Sequence, residues 1–420
     1  MRRPMLIVFL VILFVDVLLT NFKDVDYSFD DQIVNIRGVV KDKIEKPKYN
    51  QYKVGSFLVN DYSRTFKLDI GQEVNVNGKF KSLDKMKFDD FDYGRYVKST
   101  GYKGIIYIKS YEVVGEDFIY KYLGTFKLKV RDISRYLYKE YSNFVNSILL
   151  GDSSSLNEDE KLMFKRTGTS HVIAISGLHT GILCVIIAFM MRGVNKFYKL
   201  FILIILMYLY SIMVGSSPSV LRSIIFSFIL YFSIFVDRKR DGISTLAFIG
   251  SLFIFNNPFV VYNVSFQLSF AATLSIIYFE PYFFRAIKLR LISVTISSNI
   301  LTLPIIYYTF GGIPVLSIVG NIIVVPFMAV IMYLSIFSIL LYKFILVSKV
   351  IAFINLSVIK NIYYMLDKIG NLSFSYLDIK SPKFYIVLVY YTVVFTYMVY
   401  WEIKEMREQD NGLQGYYKEY

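Results

Sequence analysis

From residue 171 onward the chain alternates long apolar runs with short polar breaks. Runs near 171–191, 197–214, 219–236, 243–261, 264–283, 291–310, 313–342, 345–366 and 384–401 are each long enough to cross ~30 Å of hydrocarbon as a helix. The 313–342 run contains Pro326, where a break is expected. A further apolar run, Met5–Val15 and on through Leu19, follows Arg2 and Arg3. It lacks the small residues of a cleavage site, so residues 1–22 predict an uncleaved anchor with a cytoplasmic amino terminus. Asp16 is out of place in such a span. Residues 23–120 differ in kind. Alternating runs at Ile33–Lys41, Tyr52–Val59, Thr65–Asp69, Glu73–Phe80 and Gly104–Tyr111 predict short strands and a barrel of the OB type. In the stretch 121–170, Phe126–Leu150 has the helical period of a basic amphipathic helix at the membrane interface, and Leu156–Arg166 reads as a second, polar helix. The expected fold is a polytopic α-helical membrane protein of about 9–11 spans, with a small extracellular OB-like β-barrel near the N-terminus. Residues 171–401 form the multi-span domain and 402–420 a polar tail.

Composition agrees with lipid as the main solvent. Of 420 residues, 55% are hydrophobic and only 19% charged, against about a quarter charged in soluble domains. One cysteine, Cys184, excludes a disulfide framework, and two histidines exclude multi-histidine metal chemistry, so neither metal nor cofactor is expected. The net charge of +14 has two readings, an excess of Lys and Arg on cytoplasmic loops or a polyanionic partner, and composition leaves both open. The clusters Arg192/Lys196/Lys199, Arg238–Arg240 and Arg285/Lys288/Arg290 recur every second span and so fall on one side. If that side is the cytoplasm, residues 23–170 lie outside, as the Arg2–Arg3 anchor also requires. No Gly-x4-Gly-Lys-Ser/Thr loop, metalloprotease helix or Gly-x-Ser-x-Gly elbow is present.

The chemically unusual stretch is His171–Leu183, HVIAISGLHTGIL, where the chain enters the membrane. On one continuous helix Ser176 and His179 share a face, with His171 two turns earlier, while Gly177 and Gly181 form a small-xxx-small surface for close helix packing. Polar groups at such a depth face a cavity or a partner. Ordinary helix packing held by hydrogen bonds accounts for them equally well. Three later segments are also polar within apolar surroundings: Gly215–Arg222, Asn263–Phe270 and Gly320–Pro326. Arg222 falls just inside a span and needs a carboxylate, a carbonyl or water.

Together with Leu149-Leu150-Gly151-Asp152 and Arg166-Thr167-Gly168-Thr169, these segments closely resemble, in order, the signature of the ComEC family of competence proteins. The resemblance extends over about residues 30–340 and takes in Gly71–Phe80 and Phe91–Gly101 of the amino-terminal module. It implies a channel that passes single-stranded DNA inward across the cytoplasmic membrane, with His171, Ser176, His179, Ser219, Arg222, Gln267 and Asn321 along a polar path. Gly177, Gly181 and Pro326 are then helix-packing positions. Candidate DNA contacts on the module are Lys79, Lys81, Tyr93, Arg95, Tyr96, Lys98, Tyr102 and Lys103, whose plainer reading is a solvated loop. Implied partners are single-stranded DNA, membrane lipid, a DNA receptor, a helicase or other motor, a nuclease and further copies of the chain. Many relatives carry a metallo-β-lactamase-like nuclease domain marked by a His-x-His-x-Asp-His run. No such run follows His179, so the chain as given is expected to be no enzyme. The alternatives are a small-molecule transporter, an intramembrane enzyme using Ser176 and His179, and a truncated, inactive paralogue.

Overall fold

The structure, a computed structural model, describes residues 4–22, 29–46, 48–84, 86–88, 91–235 and 241–410. Arg2–Arg3, the Arg238–Arg240 cluster and residues 411–420 of the tail lie outside the described residues.

Alternation of apolar and polar residues closes the amino-terminal module into a five-stranded barrel: β1 (Ile33–Glu45), β2 (Asn50–Val54), β3 (Phe57–Asp61), β4 (Gln72–Lys81) and β5 (Gly104–Glu116). The order around it is β1-β2-β3-β5-β4, with β3 and β5 parallel and every other pair antiparallel. Inward-facing Val40, Tyr52, Val54, Val59, Val74, Val76, Phe80 and Ile106 fill its core. Two expected strands come out differently. Tyr52–Val59 folds back on itself at Gly55 and Ser56, a two-residue hairpin loop whose first position needs φ > 0 and has Gly55 at +56°. Thr65–Asp69 is no strand. Leu68 instead plugs the barrel at 1% exposure, and the Tyr52 hydroxyl donates to the Phe66 carbonyl at 2.7 Å.

The helices are α1 (Pro4–Phe22), α2 (Tyr93–Ser99), α3 (Phe118–Tyr138), α4 (Ser142–Leu150), α5 (Glu158–Arg166), α6 (Ser170–Ile173), α7 (Gly177–Met190), α8 (Lys196–Val214), α9 (Pro218–Phe235) and α10 (Gly242–Asn256). They continue with α11 (Val264–Ile287), α12 (Arg290–Phe310), α13 (Ser317–Leu340), α14 (Ile345–Gly370) and α15 (Phe384–Asp410). Among the described residues six of these are long and apolar enough to cross a membrane (α1, α8, α12, α13, α14 and α15), and α7, α9 and α10 are shorter apolar helices. The protein is a polytopic α-helical membrane protein with an OB-like barrel near its amino terminus.

Burial explains several departures from the sequence pattern. The helix expected over Phe126–Leu150 is two helices, broken at Lys139, which takes φ +48°. Only α3 keeps the one-sided burial of an interfacial helix. Nearly every residue of α4 is buried, so it belongs to the bundle core. Pro326 breaks nothing. α13 runs continuously through it, and the ring is exposed on the helix's outer side rather than in a packing contact. Asp16 is 7% exposed and turned into the bundle, where Thr20 Oγ1 donates to the Asp16 carbonyl at 2.8 Å and meets the Tyr262 hydroxyl at 2.9 Å. A carboxyl in an anchor helix is therefore kept out of lipid by α1 packing against α10, where a side chain at Gly250 would collide with Phe9 at 2.5 Å.

The bundle has two apolar cores. One joins α3 to α7 with α13 and α14, and the other joins α1, α9, α10 and α11. Inside the first, Asn355 Nδ2 lies 2.9 Å from Ser335 Oγ, 3.1 Å from the Tyr138 hydroxyl and 3.2 Å from the Ile331 carbonyl. That cluster ties α3, α13 and α14 together by hydrogen bonds, which hold between helices where lipid supplies little apolar drive.

Candidate functional site

The two cores meet at the start of α7. Leu-Gly-Asp leads in: Gly151 caps α4 in the left-handed region, and Asp152 takes ion pairs from Lys127 at 2.9 Å and Arg131 at 2.5 Å, both on α3. Asn157 and Glu160 then form a reciprocal cap on α5, with bonds of 2.7 and 3.0 Å. The Arg-x-Gly-Thr turn follows. Gly168 has φ +69°, and Thr167 and Thr169 join their hydroxyls at 2.8 Å. This turn lies against the amino end of α13 so closely that a Cβ on Gly320 would fall 2.4 Å from the Thr167 carbonyl.

The signature is not one helix. His171 sits on the single turn α6, the chain extends at Ala174, and α7 begins only at Gly177. His171 is exposed and His179 fully buried, and with α6 and α7 separate the two histidines do not share the face of one helix. Ser176 and His179 do meet, as a cap. Ser176 Oγ accepts from the Leu178 N–H at 3.3 Å, and His179 Nδ1 lies 3.1 Å from Ser176 Oγ and accepts from the Ser176 N–H at 3.2 Å. That bonding pattern assigns the ring proton to Nε2, which is buried.

Facing this helix start is Arg222 of α9, 9% exposed. Its Nε donates to Ser269 Oγ of α11 at 2.6 Å and its Nη2 to Ser223 Oγ at 3.4 Å. Ser219 completes the cluster, taking bonds from Ser223 Oγ on its carbonyl at 2.7 Å and from Ser269 Oγ on its hydroxyl at 3.3 Å. Gly177 is the point of closest approach: a Cβ there would lie 2.9 Å from Ser223 Oγ and 3.3 Å from Arg222 Nη2. Among the described residues no carboxylate pairs with Arg222.

The other candidates fall elsewhere. Gln267 Nε2 donates back to the Val261 carbonyl at 2.8 Å and bonds to none of the Arg222 cluster; Ser269, two positions on and unremarked in the sequence, takes that place. Asn321 is 8% exposed with its Oδ1 unpartnered, beside Gly320 and the Thr167–Thr169 turn. Nothing lies within 4 Å of a Cβ added to Gly181, so it borders open space and is not a packing contact.

The basic and aromatic residues of the module are divided among ion pairs, the bundle contact and the barrel surface. Lys79 and Lys81 both pair with Asp31, at 3.0 and 3.4 Å, and hold its carboxyl below the usual carboxylate range. Arg95 lies 4.5 Å from the Tyr262 ring and Lys98, ion-paired with Asp84, 5.0 Å from the Phe259 ring. Asn257 Nδ2 donates to the Lys98 and Ser99 carbonyls at 2.9 and 3.2 Å, and Asn263 Nδ2 to Ser99 Oγ at 3.4 Å. So α2 docks the barrel onto the bundle. Tyr93 and Tyr102 are half-buried against the barrel, while Tyr96 and Lys103 are exposed.

Against known proteins, the family profile described as "Competence protein" matches residues 148–404, well over half of the chain. The chain belongs to the competence protein family. The matched stretch takes in the helices from α5 to α14 and most of α15, with Arg222 and Ser269 among them. Among curated relatives, ComE operon protein 3 of Bacillus subtilis (strain 168) is 28% identical over 217 residues, which is 50% of this chain and 28% of that protein. An uncharacterised protein of Aquifex aeolicus (strain VF5) is 31% identical over 133 residues, 31% of this chain and 32% of that protein. The chain thus matches under a third of the length of either relative. No solved structure matches.

Proposed function

We propose that the chain is the membrane channel through which single-stranded DNA is imported in competence, with the barrel outside the cell membrane and the amino terminus in the cytoplasm. One observation carries this reading most directly. The guanidinium of Arg222 is buried beside the amino end of α7, and both are electropositive, with no carboxylate between them among the described residues. Two like ends held together in low dielectric are costly, and an anion placed between them offsets that cost. A phosphodiester passing the site is such an anion, with Ser219, Ser223, Ser269 and His179 Nε2 as further hydrogen-bonding groups. The family's printed description and the name of the Bacillus relative support the biological setting. In this reading residues 1–22 anchor the chain, 23–120 receive the strand, 121–170 connect, 171–401 conduct and 402–420 form a tail. Energy comes from a partner motor or the proton gradient, and receptor, nuclease and further copies of the chain act beside it.

The test is deletion and complementation in a naturally transformable host that carries the gene. Deletion is expected to abolish transformation, and a chain with Arg222→Ala, present in the membrane at normal level, to restore it poorly. Full transformation after deletion defeats the DNA reading in favour of a small-molecule transporter or an inactive paralogue. Full restoration by Arg222→Ala defeats the assignment of the site.

A further inference from the structure

The barrel has a second aromatic face, away from the positions singled out in the sequence. Tyr49, in the loop between β1 and β2, stacks on Tyr62, just beyond β3, with ring centroids 4.7 Å apart and 29° between planes. Tyr62 in turn lies 5.8 Å from Tyr107 on β5, at 41°. Tyr62 is 56% exposed and gives the cluster its open surface. Cations stand at both ends. Lys46 Nζ is 5.2 Å from the Tyr49 ring centroid and 3.1 Å from its hydroxyl, and no carboxylate pairs with it among the described residues. At the other end Lys79 is the cross-strand partner of Tyr107. Arg64, reaching the Lys46 carbonyl at 2.6 Å, adds a third cation.

We propose that Tyr49, Tyr62 and Tyr107 form a stacking platform for the bases of single-stranded DNA, with Lys46, Arg64 and Lys79 holding the phosphates on either side. This rests on the transport reading only for the identity of the strand. Two observations favour that occupant over a protein. The rings carry phenol hydroxyls and have cations at both ends, Lys79 sharing its charge with Asp31 at 3.0 Å, which suits a flat polar base above an anionic backbone. They lie on the β2–β3 side and the β1–β2 loop, where OB-type barrels take oligonucleotides. The platform continues toward the bundle. Tyr93 of α2 is close enough to feel the Tyr49, Tyr62 and Tyr107 phenols, and the neighbouring Arg95 sits on Tyr262. The rings thus lie beside the α2 dock, and from that contact α11 runs to Ser269, the partner of Arg222.

The experiment uses the full chain in lipid nanodiscs and measures, by fluorescence anisotropy, its affinity for a labelled oligo-dT of about 12 nucleotides, the scale of one OB-type site. A second probe of the same length has an abasic backbone, which keeps the phosphates and removes the bases. Wild type is expected to prefer oligo-dT by about tenfold or more, as stacked bases on aromatic rings allow. Tyr62→Ala with Tyr107→Ala is expected to abolish the preference and leave the abasic affinity within about twofold, while the matching Phe pair retains it. An unchanged preference in the Ala pair overturns the proposal, as does its loss in the Phe pair or its absence in wild type. A uniform fall for both probes in the Ala pair also overturns it, because it reports general damage or charge rather than stacking. Failure of the transport reading shows separately, as normal transformation after deletion by a chain that still binds oligo-dT through these rings.

Discussion

Arg222 illustrates what a single residue contributes here. Its position inside an apolar run marked it in the sequence, but its partners did not appear there. A hydroxyl 47 positions later, Ser269, holds Nε at 2.6 Å, and the backbone of Gly177 leaves just enough room for Nη2. A hydrogen bond to a charged group contributes about 1.5–3 kcal/mol. Ser269→Ala is therefore expected to release the guanidinium and lower transformation about tenfold or more, with the amount of membrane-inserted protein unchanged on immunoblot, whereas Ser269→Thr should keep most of it. Gln267, two residues earlier and more conspicuous in the sequence, is occupied with the Val261 carbonyl. Which of two polar neighbours on a helix does the work depends on the helix's rotation against its partners, and periodicity does not report that.

At the scale of elements, glycines separate close approaches from open space. A side chain at Gly320 would meet the Thr167 carbonyl at 2.4 Å and Thr169 at 3.0 Å, so α13 and the preceding turn would have to separate. Overpacking of this kind costs about 1–3 kcal/mol. Gly320→Ala is expected to lower the melting temperature of the detergent-solubilised protein by several degrees, and Gly181→Ala to leave it unchanged because nothing lies within 4 Å. The reverse result would mean that the signature helix packs through Gly181 after all. The break between α6 and α7 has a comparable cause. Ser176 and His179 cap each other, and a reciprocal cap starts a helix rather than continuing one. Read as helix interior, the same two residues predict a shared face; read as a cap, they predict where the helix begins.

For the molecule as a whole, the docking of α2 onto Tyr262, Asn257 and Asn263 ties an OB-like barrel to the helices that carry the candidate site. The proposed orientation is checked with single cysteines in a Cys184→Ser background, since Cys184 is the chain's one native thiol. Lys103→Cys, exposed on the barrel, is expected to react with a membrane-impermeant maleimide on intact spheroplasts. Lys196→Cys, exposed at the start of α8, should react only after permeabilisation. The opposite pattern would invert the topology and with it the inward direction of transport.

By itself the sequence determined the membrane-spanning class, the presence of a small barrel and the family. Long apolar runs and period-two alternation are local properties, and lipid leaves few other ways to satisfy a backbone. The order of motifs, too, survives without any knowledge of contacts. Only the tertiary structure decided that Leu68 plugs the barrel instead of extending a strand, that α4 is core rather than interfacial, and that Arg222 answers to Ser269 and Gly177. It also assembled a second aromatic face on the barrel, Tyr49, Tyr62 and Tyr107, beside the α2 residues that dock on the bundle. Those three rings are 13 and 45 residues apart along the chain, and only closure of the barrel through the parallel β3–β5 pair brings them together.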